Sequence, residues 1–515
     1  MAETSRCLVT FENVTATVGN FDISSILELQ LSANANGVPS IVLMVDAGHT
    51  GAANTSLIGD RVTVGEIRKA YDTFRPLVKT SGATLSLSLT ARAAGGTDVQ
   101  TLRISGWMLT DVAASPVEYK GVCTLSLTFM HPLCKADFGG MVPGLLSAPP
   151  DLTNLHGANP LDAFVAALRM YGEQAQRAST SVDHVAGMRG LGSVRGNMLR
   201  RLSQASSALT GALAWKGPSR LPAQNVVAVW TDFIRMGLSY YAMPSEGLSV
   251  LGRFMSMAGE CSLAVGGDFT AGQLEVRPFL PWAPASLTLD DSDITDMQFP
   301  SQDPMPLSGV RVESMEASID EPTSHTIEGG QLSTVRTDSF YIPKSELDAE
   351  FLYGPIQQFS EPGWLMYALG YAKDAATGGA SDVRTASMNR YSDPRTVPRD
   401  QGAPAVASAI NAMKINYGSA LLACAKAYFE TSVMKDWAFT IGARFIVSGG
   451  GGLICPGRVL SVRANGSEVL AGYVVSVKHT ISVAGRTAKT EIACTHPRFG
   501  DPPFGISGTS NALYS

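Results

Sequence analysis

The sequence has little charge for its length. Lys and Arg (39) with Asp and Glu (45) make up only 16% of 515 residues, against ~25% in an average soluble protein. A net charge of −6 argues against a basic nucleic-acid binder, which needs clustered Lys and Arg to neutralise phosphates. Cysteine is sparse and unpaired in pattern. Cys7, Cys123, Cys134, Cys261, Cys424, Cys455 and Cys494 are an odd number with no C-x-x-C among them. That argues against a disulfide framework or zinc ribbon and fits reduced thiols made in a cytoplasm. No run approaches the ~18 consecutive apolar residues of a membrane span. Met1 to Arg6 lacks the basic and apolar regions of a signal peptide, so the chain is expected to be cytosolic at birth.

Catalytic signatures are missing as well. There is no phosphate-cradling G-x-x-x-x-G-K-[ST], no H-E-x-x-H and no G-x-S-x-G. Aromatics are 8% of the chain, without the dense stretches expected of a sugar-cleaving cleft. What is plentiful is apolar surface: 45% of the residues, enough to exclude disorder. So long a chain with so little charge is expected to bury part of its surface against partners. Its length suggests about three or four domains.

The expected fold is α+β, mainly β: a compact β-barrel or sandwich at the start of the chain and a second barrel at its end, with helical and loop-rich insertions between them. The first barrel is assigned to 1–135, with strands expected over Leu8–Asn13, Ile26–Leu31, Ser40–Val45, Thr84–Ala91, Val99–Leu109 and Val122–Phe129. One helix is expected over Val64–Phe74, where Ile67, Tyr71 and Phe74 share a face. Residues 136–245 read as a Gly/Pro linker and a helical, Ala- and Arg-containing insertion opened by Asn159-Pro160, with a further helix near Val226–Leu238. Its Gly187–Arg201 stretch reads as a loop with solvated charges rather than a nucleic-acid contact. Residues 246–345 are a mixed α/β middle region: a helix over Leu248–Met257, then a strand pair, Cys261–Val265 with Gln273–Arg277, around Gly266-Gly267. Residues 346–402 read as a loop-rich connector. Residues 403–500 hold a long helix and the second barrel, and 501–515 a tail. The helix carries one stripe, Val406, Ile410, Met413, Tyr417, Leu421, Cys424, Tyr428 and Thr431, read as a packing face. In the second barrel Asn465-Gly466 is a strong hairpin turn. Tyr473, Val475, Val477, His479 and Ile481 are expected on one side of a strand that turns at Ala484-Gly485.

The two β regions resemble each other. Leu89 to Val99 leads through Gly95-Gly96 to Ser105-Gly106-Trp107, and Leu460 to Val469 leads through Asn465-Gly466 to Ala471-Gly472-Tyr473. Each β run then closes on His-Pro, at His131-Pro132 and His496-Pro497. One reading is convergent turn chemistry in two hairpin-rich barrels. The sharper reading is a duplicated barrel, by which a trimer would present six.

Candidate chemistry is thin. Gly449–Gly452 reads as a hairpin tip and Ser432-Val433-Met434-Lys435 as a chance S-x-x-K at a helix end. Asp290, Asp291, Asp293 and Asp296 lack the spacing of a calcium loop and read as a solvated turn or helix cap. His479, Cys494, His496 and Cys455 are of zinc-ligand type, but a two-residue turn at Ala484-Gly485 puts Cys494 opposite Val475, so the ligand atoms are not expected to converge. No catalytic, cofactor-binding or metal residue is assigned, and no cofactor is expected.

The C-terminal run Leu453-Ile454-Cys455-Pro456-Gly457-Arg458-Val459, Gly472-Tyr473-Val474-Val475, Val477-Lys478-His479-Thr480-Ile481, Gly485-Arg486-Thr487 and Thr490-Glu491-Ile492 resembles the late-control protein D and baseplate hub family of contractile phage tails. Leu274-Glu275-Val276-Arg277-Pro278 and the run Leu287–Val312, with Asp290-Asp291 and Gly309-Val310-Arg311-Val312, look like that family's middle portion. Segment 151–240 has no counterpart in the pattern. The resemblance implies two tube-like β-barrels at either end of the chain and a structural, non-enzymatic homotrimer in the virion tail baseplate, adapting a threefold spike to a sixfold tail tube and lining the central channel. The implied partners are the tail tube protein, central spike, tape-measure protein and baseplate wedge proteins, with no membrane and no sequence-specific nucleic acid. A tail-associated receptor-binding module or cell-wall hydrolase is the alternative.

Overall fold

The computed structural model describes residues 3–46, 64–93, 99–137, 159–169, 203–219, 249–313, 339–341, 356–360, 421–447 and 453–514, with short gaps inside these spans. Within them the chain is mainly β, with large antiparallel sheets.

The first unit begins with β1 (Glu3–Thr4), β2 (Arg6–Val18), β3 (Phe21–Ile23), β4 (Ile26–Asn34) and β5 (Ser40–Asp46). Helix α1 (Val64–Phe74) follows, then β6 (Thr84–Ala93), β7 (Val99–Tyr119) and β8 (Val122–Met130). Every expected strand is present and the helix occupies the expected residues; β7 runs on to Tyr119, past its expected end at Leu109. The strands pair antiparallel in the order β4-β5-β8-β7-β6-β2. Period-2 alternation decides which side chains go inside. Leu29 and Leu31, Ile41 and Leu43, Leu85, Leu87 and Leu89, and Leu125, Leu127 and Phe129 fill one core, with Phe74 of α1 buried against it. Each such side chain contributes roughly 1.5–3 kcal/mol by leaving water. Pro76, in a single 3-10 turn at Arg75–Leu77, follows directly on α1.

The middle region is a separate core. Asn159 opens a helix as expected: its Oδ1 accepts from the Asp162 amide at 2.9 Å, ahead of Pro160 in the first turn. Helical residues 203–212 run into β9 (Leu213–Trp215). Helix α2 (Val250–Glu260) is capped by Ser249, whose Oγ accepts from the Gly252 amide at 3.0 Å, a cap worth ~1 kcal/mol. Strands β10 (Leu263–Gly266) and β11 (Leu274–Pro278) form the expected antiparallel pair, with β9 parallel to β11. Phe164, Leu209, Phe254, Met257 and Val276 pack together with Leu421, Cys424 and Phe429 from helical residues 421–432. Leu421 and Cys424 thus confirm the packing stripe over that part; the rest of it, 404–420, lies outside the described residues. So do Gly187–Arg201 and Val226–Leu238.

Next come β12 (Leu287–Asp290), a 3-10 turn at Asp291–Asp293, β13 (Ile294–Gln298), β14 (Gly309–Glu313), β15 (Ser339–Tyr341) and β16 (Ile356–Ser360). β15 and β16 flank β14, antiparallel and parallel respectively. Among its described residues, 356–360, the connector expected over 346–402 carries strand β16.

The second unit consists of β17 (Phe439–Ala443), β18 (Phe445–Val447), β19 (Val459–Ala464), β20 (Ser467–Ser482) and β21 (Thr487–Arg498). Asn465 (φ 53°) and Gly466 (φ 81°) make the two-residue turn between β19 and β20. Both angles are positive, which is why Asn-Gly suits that turn. Ser482 pairs with Thr487, so the register is the one expected from the Ala484-Gly485 turn as far as Ser476↔Ala493. There it breaks. A bulge at Val475 puts Cys494 opposite Val474 instead of Val475, and the face reverses, as one extra residue in one strand requires. Val477 and Ile481 point into β-unit cores, whereas Tyr473 and Val475 join a different cluster with Ala264, Phe279 and Val459. The single face expected for Tyr473 through Ile481 is thus two faces.

A consecutive segment completes this unit. β12 pairs with β19 and β13 pairs with β17, so the pairings β12-β19-β20-β21-β17-β13 return to the segment where they began, with the Asp291–Asp293 turn as their corner. Leu287, Leu289, Phe439, Ile441, Leu460, Val474 and Ile492 share its core.

The units are not independent. β4 pairs with β20 from Glu28↔Ser482 to Asn34↔Ser476, and β2 pairs with β18 from Arg6↔Val447 to Leu8↔Phe445. Both outer strands of the first unit are therefore satisfied by the second, which removes two exposed edges. The described strands of both units lie in one 15-stranded sheet. The bulge serves this joint: at the end of β4 the Ala35 amide donates to the Val475 carbonyl at 2.7 Å.

Candidate functional site

The repeated motif closes on itself in both units. In the first, Gly106 is an extra residue opposite Leu85–Ser86 and takes φ +83°, a left-handed value that glycine adopts without steric cost. The bend delivers Trp107 into the core. There it meets His131 edge-on, ring centroids 5.5 Å apart and planes at 88°. His131 follows directly on β8 and caps the 3-10 turn Pro132–Ala136, its Nδ1 accepting from the Leu133 amide at 3.3 Å. In the second unit the extra residue is on β21 instead, where His496 and Pro497 stand opposite the single Gly472, and Tyr473 meets His496 edge-on at 6.5 Å and 81°. Gly-aromatic and His-Pro, about 25 residues apart in sequence, are thus the two halves of one buried contact, made twice.

The copies differ in detail. Gly472 has an ordinary backbone, and its need is space: a Cβ there would lie 2.6 Å from the Phe439 ring and 3.2 Å from Cys494 Cβ. His496 sits at φ +54°, where a side chain normally costs ~1–2 kcal/mol. It is held by its neighbours. Nε2 donates to the Thr431 carbonyl at 2.9 Å, and Nδ1 lies 2.9 Å from Thr495 Oγ1. Phe279 and Trp282 also meet the ring edge-on, at 5.8 and 5.4 Å.

A third histidine joins the units. His479 lies on β20 opposite Leu31 of β4. Its Nε2 donates to the Ile454 carbonyl at 3.3 Å and its Nδ1 lies 2.9 Å from Thr490 Oγ1. Phe269, from the middle region, stacks on Trp107 at 6.1 Å and meets His479 edge-on at 5.7 Å. One phenylalanine therefore bridges the aromatic of the first unit and the shared strand of the second. Burial holds His131, His479 and His496 all at about 4, the carbonyls facing His479 and His496 and the Gly272 backbone near His131 only partly offsetting it. Neutral rings packed edge-on against aromatic neighbours serve packing; a general base at neutral pH would need a higher pKa.

Beside this seam is a cavity of about 350 Å³, lined among others by Asn36, Phe279, Tyr428, Lys435, Tyr473 and His496. It lies where the first unit, the middle region and the second unit meet. Ser432 and Lys435 both border it, but as the last turn of the 421–432 helix, Lys435 amide bonded to Ser432 carbonyl.

Asp290 and Asp291 are exposed around the 3-10 turn, and Asp296 lies over the α-carbon of Gly442 on the neighbouring strand. His479 and His496 are both buried but each is engaged separately, as above. Cys455 and Cys494 are buried free thiols, pushed up by burial, Cys455 to about 11. Among the described residues no group of three His, Cys, Asp or Glu side chains is placed to hold a metal. No described helix is long and apolar enough to cross a membrane. Gly449–Gly452 lie outside the described residues. Sequence reading missed Phe269, Phe279 and Trp282, whose partners are more than a hundred residues away and which stand in no motif.

No protein-family model and no curated protein matches this chain. Among solved structures it is similar to the tail protein from Neisseria meningitidis MC58, at 12% identity and TM-score 0.39, over 94% of this chain and 95% of that one. It is also similar to the 43 kDa tail protein of prophage MuSo2 from Shewanella oneidensis, at 8% identity and TM-score 0.42, over 95% and 98%. Prophage tail protein gp18 from Listeria monocytogenes EGD-e aligns at 9% identity and TM-score 0.33, over 94% of each.

Proposed function

We propose that this chain is a structural hub of a phage-type contractile tail, a homotrimer that adapts a threefold spike to a sixfold tail tube. One observation carries the reading: two β units with the same buried Gly-aromatic/His-Pro contact are fused side by side by the β4·β20 pairing. A threefold ring of such a chain has six similar units around its axis, which is the arithmetic of a three-to-six adaptor. The sequence resemblance to the late-control protein D and baseplate hub family favours the same role. The low charge content suits a chain that buries much of its surface against neighbours.

In this role the chain does no bond chemistry. It is made in the host bacterial cytoplasm and works in the virion baseplate, and its partners are further copies of itself, the tail tube protein, the central spike, the tape-measure protein and wedge proteins. Rigid registration of the two units is the property that matters. A hinge between them would destroy the sixfold spacing, and strand pairing at two places with Phe269 wedged between suppresses one.

Native mass spectrometry and light scattering on the full chain test the reading. A trimer, alone or on adding a spike protein, is the expected result. A strict monomer at high concentration, with and without candidate tail partners, rules the adaptor out.

A further inference from the structure

On β11, Leu274 and Val276 point into the middle core, so Glu275 and Arg277 stand on the opposite face. There they meet Arg458, just before β19, and Tyr473 of β20. Glu275 Oε2 pairs with Arg277 Nη2 and also lies 3.6 Å from Arg458 Nη2. One carboxylate oxygen thus faces two guanidiniums. Burial first, and then the like charge of Arg458, pull the Arg277 pKa below its usual value. The nearby Asp268 is held elsewhere, its Oδ1 accepting from the Leu453 amide at 3.2 Å. Cys455, which senses both guanidiniums and Asp268, is a neutral thiol and brings no charge.

Three buried atoms of this cluster lack a hydrogen-bond partner, one of them the acceptor Glu275 Oε2. Tyr473 is 2% exposed, its hydroxyl is buried without a hydrogen-bond partner, and so is Arg458 Nε. Arg277 bears electrostatically on that hydroxyl. A buried donor left unpaired costs ~1–3 kcal/mol, and two of them, beside one carboxylate oxygen that two guanidiniums share, leave a place for one more acceptor of negative charge. The side chains of Arg277 and Arg458 are 29% and 25% exposed, so the cluster opens to solvent on one side.

We propose that Arg277, Arg458 and the Tyr473 hydroxyl form an oxyanion site, with Glu275 as built-in counter-ion, that receives one further carboxylate or phosphate group. Planar guanidiniums bind such groups through paired N–H donors, a geometry lysine cannot offer. The group comes either from a free anion or from an acidic side chain of a second copy of this chain. The site sits where the small β9-β11-β10 sheet abuts the second unit, so filling it ties those two parts together.

The test uses the full chain, as wild type, Tyr473→Phe and Arg458→Gln, with inorganic phosphate against chloride at equal ionic strength. For a free anion, phosphate raises the wild-type unfolding midpoint saturably; the rise falls by at least half in Tyr473→Phe and vanishes in Arg458→Gln. Without phosphate, Tyr473→Phe is as stable as wild type or more so, because the unpaired hydroxyl is gone. For a carboxylate of a second copy, phosphate leaves the wild-type midpoint unchanged, while light scattering shows both variants dissociating at concentrations where wild type stays assembled. Equal phosphate shifts in all three proteins overturn the proposal. So does a null phosphate response with unchanged assembly in both variants.

Discussion

Gly106 and Gly472 occupy the same place in the repeat, yet the structure requires glycine at each for a different reason, and a double-mutant cycle separates the two. At Gly106 a Cβ meets nothing within 4 Å, but φ is +83°. Gly106→Ala therefore carries a left-handed penalty of ~1–2 kcal/mol, reduced by the ~0.4–1 kcal/mol that alanine takes from the unfolded chain's entropy. The net expectation is a loss of ~1 kcal/mol. At Gly472 the backbone is ordinary and the obstacle is the Phe439 ring, 2.6 and 2.7 Å from the new methyl. Phe439 is stacked on Phe299 at 5.7 Å, so its retreat disturbs a second ring, and overpacking of this kind costs ~1–3 kcal/mol. Shortening the obstacle should relieve one case only. Phe439→Leu combined with Gly472→Ala should cost less than the sum of the single changes by at least ~1 kcal/mol, whereas with Gly106→Ala the two should add. Urea unfolding, with hydrogen exchange at β20 and β21 amides as the local readout, measures all five variants. Additivity at Gly472, or coupling of similar size at Gly106, would refute the packing argument.

Three further outcomes follow from the described contacts. Folded His131, His479 and His496 sit at about 4, below the unfolded ~6.5. The unfolded chain thus binds more protons between those values, so stability is full above pH ~6.5 and drains as pH falls towards 4, by up to about 3 kcal/mol per histidine. Unfolding midpoints across pH 4–7 should show this, with a shallower slope in His479→Gln; a flat profile contradicts it. Phe269→Ala removes the ring shared by Trp107 and His479 and should cost ~3–5 kcal/mol, with faster amide exchange in β4 and β20 together; loss confined to the middle region would mean that Phe269 does not couple the units. Deleting residues 511–515 removes buried Leu513 and the Tyr514 hydroxyl bond to the Cys261 carbonyl at 2.7 Å. Cys261 should then be alkylated at least tenfold faster in peptide mapping, while Cys494, inside the second unit, keeps its rate.

The six long strands of the first unit, α1, the helix start at Asn159, the Asn465-Gly466 turn and the recurrence of Gly-aromatic and His-Pro were legible in the sequence. These are local matters: side-chain period, a cap, a turn that needs two positive φ angles. Tertiary structure alone decided the joints. Which strand β4 pairs with is invisible locally, because Lys478 and Ser32 are hundreds of residues apart and any exposed edge can accept a partner of suitable register. The Val475 bulge was hidden for the same reason: the register expected from the turn holds up to Ser476↔Ala493, and only packing of Tyr473 against Phe279 and of the Ala35 amide on Val475 shows why one residue is spent there. The histidines make the same point. Sequence offered His479, Cys494, His496 and Cys455 as a group of metal-type residues and the His-Pro pairs as a repeat. The three-dimensional arrangement gave the repeat its meaning, placing each His-Pro histidine edge-on to the aromatic that follows the repeat's glycine, since ring geometry is set by neighbours that no spacing along the chain encodes.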